Sequence, residues 1–493
     1  MNIIPIQQEL EPSSPIIYGN QDFKNFKNQW ERMDQLLERV KLEEKVIELK
    51  MKELPFLMSY KQKKNFQKKV RKAFRCNIVR DVTGLSFRAL SVRLSESSVL
   101  QKFCNLIQID SIRVPSKSTL EEYSKMFNET IYRDSVNTVI RKAREIPKEG
   151  KQSLNLRVPL NLDDYFADST CVSANIHFPV DWVLLRDACR TFCKVLLLIR
   201  GEGLKNRMDS PKIFMKKMNL LCMEMTHCRR KKESKKHRKT TLRKMKMLSN
   251  VVANHVKKHR DLLNQYWEST TFSHRETDQI LNRINRILES LPKAINQAHE
   301  RIIGERPVAS KDKLLSLYEP DLNVIVRGKA GAEVEFGNTL MIAEQSNGLV
   351  VEWQFVKEAS PGDSNLIEKM LKRSYQNLQS YPKSLGTDRG FVSKKLETYL
   401  EKNKIFNGIC PKNVSDLKSK LEDEKFVQLQ SRRSQTEGRI AILKNKFLGR
   451  PMRSKGFENR KKAIASAIFS HNLWVLARLP VTEENKEKLD LAA

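Results

Sequence analysis

Long apolar stretches are missing from this chain of 493 residues. The longest ones, such as Val195 to Ile199, are far too short to cross a bilayer. The N-terminus, Met-Asn-Ile-Ile-Pro-Ile, has no basic region followed by an apolar run, so we expect no signal peptide. These absences argue against a membrane protein, and we expect a soluble, intracellular one.

Cysteine is scarce, with eight residues scattered through the chain. This usage fits a reducing compartment rather than a disulfide framework. One cluster contains potential zinc ligands, but its spacing matches no common zinc finger, and buried thiols are the preferred interpretation; its members are Cys222, His227, Cys228 and His237. His255 and His259 lie one helical turn apart but lack the glutamate of a metalloprotease motif, which favours an ordinary polar helix face.

Acidic residues are too few to balance the basic ones. The chain has 58 Asp and Glu against 91 Lys and Arg, a formal charge of +33. A folded protein with this excess repels itself unless a polyanion is a usual partner, and nucleic acid is the obvious candidate. An anionic membrane surface is the alternative, but it usually needs a basic amphipathic helix or a lipid signal near a terminus.

The first third of the chain is predicted to be largely helical. Residues 1–60 form a polar tail and charged helices, and residues 61–155 form short helices separated by tight turns in a basic segment. Ser86 is a predicted N-cap, and Ser118 begins a Ser-Thr-Leu-Glu sequence with capping-box spacing. The pattern is typical of a helix-turn-helix DNA-binding domain, and equally of a small helical bundle that contacts no DNA.

Residues 182–310 are almost wholly helical in pattern and very basic. They include a run of like charge from Arg229 to Lys239. A block of this kind is usually a solvated face. In a chain of this net charge we interpret it as a contact with the DNA backbone, with Arg230, Lys232 and Lys236 as its candidate residues.

Strand patterns flank this basic insertion. Residues 156–181 include an extended stretch that ends near Thr170, and residues 311–455 contain three β-rich runs followed by helix, strand, helix, strand and helix. Asn347-Gly348 predicts a hairpin between two of the runs. With the insertion removed, this is the element order of the ribonuclease H-like fold, an α/β core with a mixed five-stranded sheet and flanking helices. Residues 456–493 add an apolar helix that should dock on this core, and a tail.

A ribonuclease H-like sheet carries acidic ligands on its first strand, at the end of its fourth strand and on its final helix. The sequence supplies Asp168, Asp388 and Glu437 at those places. Carboxylates suit Mg²⁺, and two divalent ions serve phosphodiester chemistry by assisting both the attacking and the leaving oxygen. Asp164 lies on the same side of the first strand as Asp168 and is a competing ligand.

The helix that carries Glu437 also has basic residues on that face. Gln430, Arg433, Glu437 and Lys444 are separated by 3, 4 and 7 positions, so they lie along one side of the helix. Spacing alone leaves two interpretations open. The charges could form ordinary helix salt bridges, or the cations could grip phosphates beside a metal site.

Three motifs resemble those of the DDE transposases of bacterial insertion sequences. Gln430 to Lys444 resembles the signature Y-x2-R-x3-E-x6-K, with glutamine where tyrosine is expected. Gly386 to Phe391, Gly-Thr-Asp-Arg-Gly-Phe, looks like the second aspartate motif of the family, and Ala167 to Asp181 looks like the first.

Weaker resemblance to this family extends to a strand pair at Val324 to Asn338 and to the helices at Thr83 to Tyr123. The resemblance implies a transposase that cuts DNA at transposon ends and joins them to target DNA. The three carboxylates would be its catalytic and metal-binding residues, served by two Mg²⁺ or Mn²⁺ ions, and Gln430, Arg433 and Lys444 would contact DNA. The implied partners are double-stranded DNA, as terminal inverted repeats and target, and a second copy of the chain in a synaptic complex, with no membrane.

Other functions remain open from the sequence. A structure-specific DNA nuclease would share the ribonuclease H-like fold, and so would an inactive regulator that descends from a transposase and only binds DNA. A general RNA-binding protein would explain the charge but not the ordered acidic motifs.

Overall fold

The structure, a computed structural model, describes residues 18–54, 58–108, 111–146, 152–228, 233–329, 332–358 and 362–482. Within these ranges, no helix combines the length and the apolar character that a membrane span requires.

Helices precede the first strand: α1 (Gln21–Val40), α2 (Leu42–Lys52), α3 (Tyr60–Thr83), α4 (Phe87–Glu96), α5 (Ser98–Phe103), α6 (Lys117–Lys125) and α7 (Glu129–Arg144). Ser86 caps α4, as predicted, and its side chain accepts the Ala89 N–H. The cap predicted at Ser118 is wrong. Ser116 caps α6 instead, because it already has the extended backbone of an N-cap (φ −67°, ψ 166°) and accepts the Thr119 N–H.

Strands from both sides of the basic segment form one mixed sheet: β1 (Asp164–Ser173), β2 (Asn323–Lys329), β3 (Ala332–Gln345), β4 (Val350–Phe355), β5 (Ser384–Thr387) and β6 (Phe406–Ile409). The order is β2-β3-β1-β5-β6, with β4 also paired to β3. β1 is antiparallel to β3 and parallel to β5, and β5 is parallel to β6. The sheet has six strands rather than the predicted five, because the 14-residue β3 pairs with β2 along its first half and with β4 along its second.

The predicted hairpin between β3 and β4 is confirmed. Gly348 has a positive φ of 86°, a conformation that glycine adopts without strain. Its N–H donates to Gln345 O at 2.8 Å, which closes the turn.

The segment between β1 and β2 is helical: α8 (Asp181–Gly201), α9 (Pro211–His227), α10 (Ser234–Tyr266) and α11 (His274–Ala298), which ends in a π-helical turn (His299–Ile303). The apolar side chains of these helices form a core of their own, separate from that of the sheet. The two ends of this insertion are tied together, because Asp181 accepts hydrogen bonds from Gln297 Nε2 (2.8 Å) and Arg301 Nη1 (2.7 Å).

Helices also follow β4: α12 (Asp363–Leu378), α13 (Lys394–Lys402), α14 (Val414–Lys420), α15 (Glu424–Ile442) and α16 (Phe457–Leu476). α15 continues into a π-helical turn, Leu443–Leu448. The apolar α16 packs on the sheet as expected. The Asn472 side chain bonds to both the N–H and the C=O of Val350 on β4, at 2.9 and 2.8 Å.

The N-terminal helices share one hydrophobic core with the sheet. α16 lies between them. The ring of Phe469 on α16 packs against Phe74 of α3 and Tyr132 of α7, with ring centroids 5.3 and 6.1 Å apart. Helices α3 and α7 thus pack on α16, which packs on the sheet, and α7 also contacts the sheet directly, since Arg133 pairs with Glu352 of β4.

A buried carboxylate also joins α3 to α16, and we expect it to make stability depend on pH. Asp81 accepts hydrogen bonds from Ser466 and Ser470, and burial raises its pKa from the ordinary 3.8 to about 6. Because the folded state holds this proton more tightly than the unfolded chain, the stabilisation is present below about pH 4 and is lost as the pH rises through about 6.

Asp81→Asn keeps a hydrogen-bond acceptor and removes the titration. Relative to the wild type, the variant should gain up to about 3 kcal/mol in free energy of unfolding between about pH 4 and pH 7. Denaturant titrations at several pH values measure this difference. Parallel stability curves for the two proteins would contradict the expectation.

Candidate functional site

Two strands bring Asp168 and Asp388 to neighbouring positions. β1 and β5 run parallel with Phe166 opposite Gly386. Asp388 is the first residue beyond β5 and keeps an extended backbone (φ −78°, ψ 176°). Asp168 and Asp388 each lie two residues beyond this last pair, on segments that leave strands ~4.8 Å apart. Both carboxylates are half-buried and lie on one face of the sheet.

Each of these carboxylates accepts a backbone N–H from its own segment. Asp388 Oδ1 accepts the Gly390 N–H at 2.8 Å and caps a short 3₁₀ turn. Asp168 Oδ1 accepts the Ser169 N–H at 2.7 Å. A Cβ at Gly390 would lie 3.0 Å from Asp388 Oδ1, so glycine lets this turn close against the carboxylate. The local bonds fix the orientation of both side chains.

Helix α15 crosses the same face of the sheet. Asp423 caps it by accepting the N–H groups of Lys425 and Phe426. One side of the helix is buried against the strands: Phe426, Leu429, Thr436 and Ile440. A Cβ at Gly408 of β6 would lie 2.8 Å from Leu385 O and 3.0 Å from Leu429 Cδ1. Glycine is therefore needed where the helix and the strands come this close.

Gln430 is bonded to the protein through both ends of its amide. Its Nε2 donates to Thr387 O (3.1 Å) and Gly408 O (2.6 Å), and its Oε1 accepts from Arg433 Nε (3.0 Å). The side chain thus fastens α15 to the carboxyl ends of β5 and β6 and orients Arg433. This role was not foreseen from the position of Gln430 on the helix face, and its contact with DNA stays a prediction.

Glu437 and Lys444 follow Gln430 on the same side of the helix. Lys444 Nζ donates to Thr170 Oγ1 at 3.1 Å. Thr170 lies two residues beyond Asp168 and therefore on the same face of β1. Along α15 the contacts of Gln430 and Lys444 thus lie on either side of Glu437, which is itself exposed.

The carboxylates do not form a closed metal centre. In the part of the chain that the structure describes, no group of three or more His, Cys, Asp or Glu side chains is close enough to hold a metal ion. Asp168 and Asp388 follow the paired strands β1 and β5, but the two aspartates and Glu437 do not form such a group.

Of the candidate cations of the insertion, the structure describes Lys236. Lys236 on α10 is 81% exposed, and its Nζ lies 3.6 Å from Glu233 Oε2. Arg230 and Lys232 lie outside the described residues.

The structure adds Glu344 and Arg432, which were not singled out from the sequence. Glu344 on β3 is 2% exposed and accepts from Arg432 Nη2 on α15 at 3.1 Å. The Arg432 guanidinium lies over the ring of Phe166, 4.7 Å from its centroid. The only sequence signal for this pair was an acidic residue directly after the apolar run Leu340–Ala343.

Comparison with known proteins bears on the C-terminal part of the chain. Residues 328–473 match the family model described as "Transposase DDE domain". The match includes Asp388 and Glu437 but not Asp168 or the helical insertion. No curated protein and no solved structure matches the chain.

Proposed function

Since residues 328–473 carry a transposase DDE domain, as the resemblance of the motifs predicted, we propose that this chain cuts DNA at transposon ends and joins the cut ends to target DNA. The observation that carries the proposal is the parallel pairing of β1 with β5, whose last pair is Phe166 and Gly386. Asp168 and Asp388 each follow this pair by two residues, which supports a shared site at the carboxyl ends of the two strands, on the face that α15 crosses.

We assign the sheet to the ribonuclease H-like fold. With β2 left out, the strands stand in the order β4-β3-β1-β5-β6. β4, β3 and β1 are antiparallel neighbours, and β5 and β6 are parallel strands reached through helices. This order supports the assignment because it is the arrangement expected from the element order of the sequence.

Two Mg²⁺ or Mn²⁺ ions are the cofactors that the proposal requires, with Asp168, Asp388 and Glu437 as ligands. The donor set fits, because all three offer hard, anionic oxygens and two of them follow neighbouring parallel strands. Glu437 is exposed on α15, and its carboxylate would complete the ligand set when the ions are bound. When bound, the ions supply activation of the attacking oxygen and stabilisation of the leaving oxygen.

Lys444 and Arg433 would hold phosphates on either side of the scissile bond. Lys444 Nζ lies at Thr170 on the carboxylate face, and Gln430 orients the Arg433 guanidinium. Charge-assisted hydrogen bonds of this kind fix the position of DNA without reading its sequence. With the DNA held, water attacks the phosphorus and the 3′-oxygen leaves as a hydroxyl. That hydroxyl then attacks a target phosphodiester in line, so each step exchanges one P–O bond for another and no covalent protein intermediate forms.

The wider basic surface would bind the rest of the DNA. The net charge of +33 and exposed cations such as Lys236 support phosphate contacts beyond the site. We further propose that two copies of the chain pair two terminal inverted repeats in a synaptic complex.

The test uses the full chain with a plasmid that carries the gene between its own flanking DNA, in Mg²⁺ or Mn²⁺, and sequences the products. We expect cuts at a pair of inverted repeats and new joints between those ends and target DNA. Glu437→Gln should lose both products while it still binds DNA.

Three results would count against the proposal. Cut but never joined ends would indicate a nuclease. Binding without cutting by the wild type would indicate a regulator. Strand transfer that persists in Glu437→Gln would refute the role given to Glu437.

A further inference from the structure

A fourth carboxylate lies on the face of the sheet that carries Asp168. Glu344 of β3 stands opposite Phe166 of β1 in the antiparallel register. Phe166 and Asp168 are two residues apart on one strand and point to the same side. Glu344 is therefore a diagonal neighbour of Asp168, at roughly 7–8 Å between strand positions. Unlike Asp168, it is 2% exposed and covered by α15.

The side chains that reach Glu344 all come from one side of α15. Its Oε1 accepts from Arg432 Nη2 (3.1 Å) and from Thr436 Oγ1 (2.8 Å), and Arg439 Nε lies 3.9 Å away. Residues four and three positions apart stand in one row on a helix. One buried carboxylate thus fixes a row of three residues, and with it the rotation of the helix about its axis.

The same two arginines also bind the turn between β3 and β4. Arg432 donates to Gln345 O (3.2 Å) and Ser346 O (3.0 Å), and Arg439 Nη1 donates to Asn347 O (2.8 Å). At Gly348 a Cβ would lie 1.5 Å from Arg439 Nη1, so glycine is required for this contact. Glu344 thus contacts α15 from the sheet, and the turn contacts the helix through Arg432 and Arg439.

The electrostatics of Glu344 favour one position of α15. Burial raises the pKa of Glu344, and the guanidinium of Arg432 acts against that rise. Removing the cationic partner of a buried carboxylate destabilises a protein, because the negative charge then stays buried without compensation. Sliding or turning α15 would separate Glu344 from its partners.

We propose that Glu344 is a positioning residue, which holds α15 so that Glu437 faces Asp168 and Asp388. This inference rests on the proposed function. Thr436, which touches Glu344, directly precedes Glu437, and the two side chains project about 100° apart around the helix. Because side chains reach roughly 5–6 Å from the helix axis, a rotation of ~20° would move the Glu437 carboxylate by about 2 Å. A misplacement of ~1 Å in a reacting constellation can lower the rate by about 100-fold.

Glu352 offers a matched control. It is 1% exposed on β4 and is paired with two arginines, Arg133 and Arg373. It stands opposite Ala343, so its side chain lies on the other face of the sheet from that of Glu344. Glu344→Gln and Glu352→Gln therefore remove the same charge from equally buried sites, but only the first touches α15.

The experiment compares these two variants with the wild type in single-turnover DNA cleavage over a range of DNA and Mn²⁺ concentrations. It adds hydrogen exchange of the amides in residues 432–442. We expect Glu344→Gln to lower the maximal cleavage rate by roughly 10- to 100-fold, to raise the Mn²⁺ concentration for half-maximal rate, and to leave the DNA concentration for half-maximal rate within about twofold. Its α15 amides should exchange faster. Glu352→Gln should keep the wild-type rate, Mn²⁺ dependence and α15 exchange.

A second variant keeps the inference testable if Glu344→Gln does not fold. Thr436→Val removes one hydrogen bond to Glu344 without leaving a charge unpaired, and we expect a smaller effect in the same direction. Equal effects of Glu344→Gln and Glu352→Gln, or unchanged α15 exchange in both Glu344→Gln and Thr436→Val, would overturn the inference. A wild type that cuts no DNA would refute the proposed function, while the exchange data would still decide whether Glu344 holds α15.

Discussion

Asp168→Asn is expected to lower the rate of DNA cleavage by roughly a thousandfold or more, because under the proposed function its carboxylate holds a metal ion that stabilises charge in the transition state, and a neutral amide is a much weaker ligand. DNA affinity should stay within a few-fold, since the proposed function assigns most phosphate contacts to other residues. Single-turnover cleavage of end-bearing DNA measures the first quantity, and a binding titration measures the second.

Asp164→Asn is the matched control for this prediction. Asp164 points to the same face of β1, but it lies four residues earlier, where Ser384 Oγ donates to it at the amino ends of β1 and β5. The distance along the strand is about 13 Å. Cleavage by Asp164→Asn should remain within a few-fold of the wild type. The opposite pattern, with Asp164 essential and Asp168 dispensable, would move the active site to the other end of the strand pair.

Arg460→Met is expected to lower the free energy of unfolding by about 3–5 kcal/mol. Arg460 on α16 is fully buried, pairs with Glu319, and donates to Asn338 Oδ1 of β3 at 3.1 Å. Methionine fills similar space but leaves the Glu319 carboxylate buried, with the Gly456 N–H at 2.8 Å as its remaining hydrogen-bond donor among those described. Denaturant titrations measure the loss.

Lys461→Met tests whether the burial of the Arg460–Glu319 ion pair is the cause of the stability loss expected for Arg460→Met. Lys461 is the next residue of α16 and pairs with Glu129 at 2.7 Å, but its side chain is 34% exposed. An ion pair of this kind contributes at most about 1 kcal/mol. Adding Glu319→Gln to Arg460→Met should recover part of the lost stability, because the unpaired charge is then gone. Equal losses in Arg460→Met and Lys461→Met would contradict the argument.

Local chemistry made parts of the fold predictable. Asn347-Gly348 indicated the hairpin because few other sequences adopt its backbone, and β-rich runs indicated the strands on either side. The packing of α1–α7 on the sheet was not predictable in the same way. An apolar stripe shows that a helix side is buried, but not which element covers it, so the contact of Phe74 with Phe469 could not be read from either segment.

The candidate site was likewise predictable only in part. The predicted element order and the motif resemblance selected Asp168, Asp388 and Glu437, but alternation alone left Asp164 as a competing ligand, because both aspartates point to one side of β1. Their surroundings differ in the structure, since Asp164 is paired with Ser384 of β5 and Asp168 lies beyond the last paired residue, Phe166; such register depends on contacts between distant segments. Gln430 was expected to contact DNA. Its position on the helix face could be predicted from the sequence, but its bonds to Thr387 and Gly408 could not. Glu344 was overlooked because its partners are far from it in the sequence.

The tie between Asp181 and the end of the helical insertion has a consequence for the order of folding. β1 and β3 pair through residues such as Asp168 and Ile342, about 170 positions apart, and closing so long a loop is slow. The insertion can form its own core first and fasten Asp181 to Gln297 and Arg301. The loop that must close when β1 pairs with β3 is then roughly one third as long, which lowers the entropic cost of closing it by about 1 kcal/mol. The segment that interrupts the sheet would in this way speed the pairing of the strands on either side of it.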